Sequence, residues 1–119
     1  MRRLLSTAIV RLKALNAAST TTTHSFNSNG VLVGAALSAA LQSPEADVSN
    51  AFLRACATAE TPLKPAADPL TPENADYLFD VTAVREGFRI SCVEGGTEPV
   101  YDGDLQGFAR FVARGFGQC

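Results

Sequence analysis

Hydrophobic positions recur along this chain with two different periods. Leu4, Leu5, Ala8, Ile9, Leu12 and Leu15 fall at helical spacing, with Arg2, Arg3, Ser6, Arg11 and Lys13 between them, which predicts a basic amphipathic helix over 2–16. Val31 to Gln42 is apolar with small residues at Gly34, Ala35, Ser38 and Ala39, and reads as a short helix with a flat face. Ser43-Pro44-Glu45 then offers a capping hydroxyl, a first-turn proline and an acid near the positive end of a helix dipole. Val48, Phe52, Ala55, Cys56 and Ala59 follow at helical spacing, so the helical part is expected over 31–60.

Residues 61–72 hold Pro62, Pro65, Pro69 and Pro72, a stiff link too short to divide two domains. Thr71-Pro72-Glu73 repeats the helix-start chemistry and predicts one or two turns. From Tyr77 the period becomes two. Phe79, Val81 and Ala83 alternate with Asp80 and Thr82, and Phe88, Ile90 and Cys92 alternate with Arg89 and Ser91. Arg85-Glu86-Gly87 supplies the turn between these strands, and a third strand is expected from Glu98 to Tyr101. Asp102 or Asp104 caps a last helix, Leu105 to Arg114, whose apolar stripe is Leu105, Phe108, Ala109, Val112 and Phe116, with Phe111 at its flank. Gly115 and Gly117 end it. The remaining segment, Ser19 to Gly30, contains four consecutive threonines, which favour extended backbone. A strand from Thr20 to Phe26 can pair at a sheet edge, and Asn29-Gly30 serves as a turn or as a helix cap.

These elements describe one α+β domain over 1–119, in two layers, with helices packed on one face of a short antiparallel β-meander. The last part, 77–116, is the meander plus the C-terminal helix. A chain of 119 residues can close one core without metal or disulfide staples. With no Trp and seven Phe, that core depends on phenylalanine and the aliphatic residues.

Charge alters this picture at the N-terminal end. Residues 1–44 carry Arg2, Arg3, Arg11 and Lys13 and no acid, whereas the rest carries twelve acids and six bases, so charges of +4 and −6 make up the net −2. A basic helix beside an acidic body accounts for this. So does an organelle-targeting or membrane-associating address over 1–26. Four bases without a recurring stripe are too few for a nucleic-acid footprint, and no nucleic acid is expected. The apolar run from Val31 to Leu41 is about half of the roughly twenty residues a transmembrane span needs.

Candidate chemistry is sparse. His24 is the only histidine and lies in a Ser/Thr-rich segment without the pattern of an orienting third group. Cys56, Cys92 and Cys119 form no CxxC or metal-ligand spacing, and their odd number favours a reducing compartment, with Cys56 and Cys92 as core residues. Asp102-Gly103-Asp104 lacks the later glutamate of a calcium loop, and no phosphate-cradling glycine motif occurs. No catalytic, cofactor-binding or metal-binding residue is therefore assigned, and no cofactor.

The expected function is a non-enzymatic protein-binding or assembly role, as a soluble cytoplasmic adaptor, inhibitor or structural subunit. Its expected partner is a protein, a second copy of the chain included, met through Arg2, Arg3, Arg11, Lys13, Arg110 and Arg114. The alternatives are a mitochondrial or plastid subunit addressed by residues 1–26, and a small enzyme using His24 or a cysteine.

Overall fold

A computed structural model describes residues 7–13, 21–44, 47–60, 62–66, 71, 75–84, 87–95 and 99–116. Its elements run β1 (Ala8–Lys13), β2 (Thr21–Phe26), α1 (Gly30–Leu41), α2 (Val48–Thr58), β3 (Tyr77–Val84), β4 (Gly87–Glu94), β5 (Pro99–Asp104) and α3 (Leu105–Ala113). The strands form one five-stranded sheet in the order β2-β1-β3-β4-β5. All pairs are antiparallel except β1 with β3, which is parallel and is reached by the crossover through α1 and α2.

Alternation decides which face each strand buries. Ala8, Val10 and Leu12 of β1 lie beside Tyr77, Phe79 and Val81 of β3, and Ile90 and Cys92 of β4 continue the same row. These residues share one core with Leu37 of α1, Phe52 of α2 and Phe108 of α3, so the helices cover a single face and the domain is a two-layer α+β fold. Four phenylalanines, Phe26, Phe52, Phe79 and Phe108, are fully buried and supply much of the volume.

The amphipathic helix expected over 2–16 is corrected: residues 8–13 form an internal strand, and the other residues of that segment except Thr7 lie outside the described ones. Val10-Arg11-Leu12-Lys13 satisfies period two as well as period 3.6, and Ile9 and Val10 are β-branched. Pairing on both edges with burial of Ala8, Val10 and Leu12 settles the competition in favour of the strand. The meander is correspondingly extended into a mixed sheet by β1 and by β2, the edge strand expected from the threonine run.

Caps explain most helix boundaries. Asn29 starts α1, its side-chain oxygen accepting from Val31 N at 2.7 Å. Asp47, not Ser43-Pro44, starts α2 by accepting from Asn50 N at 3.1 Å, while Ser43 N bonds Ala40 O at the end of α1. Asp104 caps α3 through Gly107 N at 2.9 Å, and β5 runs on to that same aspartate rather than stopping at Tyr101. Gly115, at φ +61°, closes α3 with bonds from Gly115 N to Val112 O and from Phe116 N to Phe111 O. The Phe111 and Phe116 rings stack at 4.7 Å across this closure. The turns expected at Thr71-Pro72-Glu73 lie largely outside the described residues.

The parallel register of β1 and β3 is pinned at its start. Thr7 N and Oγ1 donate to Asp76 Oδ2 at 3.1 and 2.9 Å, and Asp76 N donates back to Thr7 Oγ1 at 2.8 Å. Asp76 is buried, so these bonds compensate the loss of water around a carboxylate.

Candidate functional site

The sheet has two edges, and they differ in chemistry. β5, at one edge, begins with Pro99, pairs with β4 through an irregularity between Cys92 and Val93, carries Asp102 and Asp104, and leads straight into α3. Proline, bulges and charge are the devices by which proteins protect an edge from unwanted strands. β2, at the other edge, reads Thr-Thr-Thr-His-Ser-Phe, without proline, glycine or acid.

Among the described residues, only one end of the outer side of this second edge is paired. Ser25 O accepts from Ala66 N at 2.6 Å and Phe26 bridges Pro65 in antiparallel sense, so residues 65–66 cover one end of the outer edge. In an antiparallel strand the main-chain groups two residues apart point the same way. Those of Thr23 therefore point outward like those of Ser25, and among the described residues no strand pairs with β2 beyond this bridge. Thr23 itself is exposed.

Beside this edge lies the face of the sheet away from the helices. There Arg11 Nε and Nη2 donate to the two carboxylate oxygens of Asp80 at 2.7 and 2.9 Å, and Lys13 lies 3.4 Å from the same carboxylate. The hydrogen bonds from Arg11 to Asp80 raise the guanidinium pKa above its ordinary value. Arg89 pairs with Asp102 at 3.2 Å further along the face, in an exposed contact that contributes little stability. Ile9, on the same face, is buried outside the main core.

The interaction surface expected from the basic residues is not one surface. Arg11 and Lys13 sit on the helix-free face and are engaged by Asp80, whereas Arg110 and Arg114 are exposed on the helical layer. Arg2 and Arg3 lie outside the described residues. Of the small residues expected to form a flat face on α1, Gly34 lies against Phe116 and Phe79 and Ser38 is buried, whereas Ala35 and Ala39 are exposed.

His24 lies under α2. Its Nε2 and Ser49 Oγ are 3.2 Å apart in a hydrogen bond, and its ring is 5.5 Å from that of Phe52. Burial lowers the imidazole pKa from its ordinary value. Burial likewise pushes the Cys56 thiol up to about 11 and the Cys92 thiol to about 12, the latter with help from Glu94, so neither is a ready nucleophile at neutral pH. Cys119 lies outside the described residues. Two shallow depressions of about 350 and 390 Å³ meet at Phe88 and Asp104, near the β3–β4 hairpin, and neither is lined by a thiol or an imidazole. Among the described residues no three His, Cys, Asp or Glu side chains gather to hold a metal, and no helix is long and apolar enough to cross a membrane.

No protein family, curated protein or solved structure matches this chain. Sequence reasoning found the edge strand through its threonines. It did not find the His24–Ser49 contact, because 25 residues separate the partners and no local pattern links them.

Proposed function

We propose that this chain is a non-enzymatic protein-binding or assembly subunit that receives an extended segment of a partner polypeptide along the outer edge of β2. The carrying observation is the asymmetry of the sheet: β5 is protected by proline, irregular pairing and acids, while Thr21–His24 is an uncharged, β-branched edge with outward main-chain groups at Thr23. Main-chain bonds supply affinity in such strand addition, and side-chain contacts supply selectivity. At about 0.5–1.5 kcal/mol net for each bond, an open edge of this length supports a weak contact by itself, so the adjoining face with Arg11, Lys13 and Asp80 contributes further contacts. Fixing the Arg11 fork on Asp80 lowers the entropy lost when a partner meets it.

Thr23→Pro tests the reading. Because the Thr23 N–H faces outward, proline there removes no bond to β1 and the domain stays folded. Light scattering of the pure protein and capture of partners from the native source, each with and without Thr23→Pro, are the measurements. Loss of association in the folded variant supports edge binding, and unchanged association refutes it.

An address made of residues 1–26 fits less well, since this span includes β1, an internal strand, and the buried Phe26. The enzyme reading keeps one supporting contact, the 3.2 Å bond between His24 and Ser49.

A further inference from the structure

We draw no further inference here: the strongest candidate, the His24–Ser49 pair where β2 meets the first turn of α2, has no carboxylate to orient the imidazole among the described residues and touches neither of the depressions near the β3–β4 hairpin, so it carries a strand-to-helix hydrogen bond and no ligand or reaction.

Discussion

Replacing Gly30 by alanine sets two opposed effects against each other. Glycine in a helix is disfavoured by roughly 0.5–1 kcal/mol relative to alanine, so propensity alone makes Gly30→Ala stabilising. The structure reverses that sign. A Cβ at Gly30 would stand 2.5 Å from Tyr77 Cε2 and 2.6 Å from Cγ, and nearer still to Cδ2. Tyr77 is only 3% exposed and packs against Phe79 at 6.2 Å and Phe116 at 5.3 Å, so its ring cannot step aside without disturbing both. Overpacking of this kind costs about 1–3 kcal/mol, which exceeds the gain from propensity. The expected net loss is about 1–2 kcal/mol, or roughly 4–8 °C in Tm for a domain of this size. Urea unfolding should show a lower midpoint with an unchanged slope. On a Tyr77→Leu background the cost of the same alanine should shrink, because the ring it meets is gone. A midpoint equal to or above that of the unsubstituted protein, or an undiminished cost on the Tyr77→Leu background, would refute the packing argument.

Other consequences are as specific. The folded-state pKa of His24 lies below its unfolded value, so the unfolded chain binds more protons between the two. Its contribution to stability is full above the unfolded value near 6.5 and is lost as pH falls through that value towards the folded one. Urea midpoints from pH 8 to pH 5 should therefore fall less steeply in His24→Gln. Cys56 and Cys92 should react with iodoacetamide at pH 8 only as fast as the domain unfolds, and rapid labelling of either without denaturant would contradict their burial. Tyr101 donates to Asp104 O at 2.6 Å and its ring fills the space beside Gly107. Tyr101→Phe should cost about 0.5–1.5 kcal/mol by denaturant titration, whereas Gly107→Ala, which drives a methyl into that hydroxyl, should cost more.

What could be read from the residues divides along physical lines. β3, β4 and α3 were legible because one periodicity dominates each: Phe79, Val81, Ile90 and Cys92 alternate cleanly, and Asp104 followed by a Leu105-Phe108-Val112 stripe has few competing conformations. β1 was not, because Ile9 is buried on the helix-free face while Ala8 and Val10 are buried on the other. A strand apolar on both faces looks locally like a buried helix, and only its two neighbours distinguish it. The parallel pairing of β1 with β3 depends on contacts 69 residues apart, such as Thr7 with Asp76, which no local spacing encodes. At the start of α2, Ser43-Pro44 and Asp47 both offer cap chemistry, and side-chain geometry selects the aspartate. The edge strand β2 was legible in part. The threonine run announces a strand, but whether its outer side is paired is decided by Ala66, far along the chain.

The most direct test of edge binding is site-specific photo-crosslinking in the native source, with p-benzoylphenylalanine placed at Thr23 on β2 and, separately, at Val100 on the protected edge β5. Edge binding predicts a discrete crosslinked polypeptide from position 23 that is weak or absent from position 100. Absence of an adduct from position 23, or equal adducts from both positions, would contradict it.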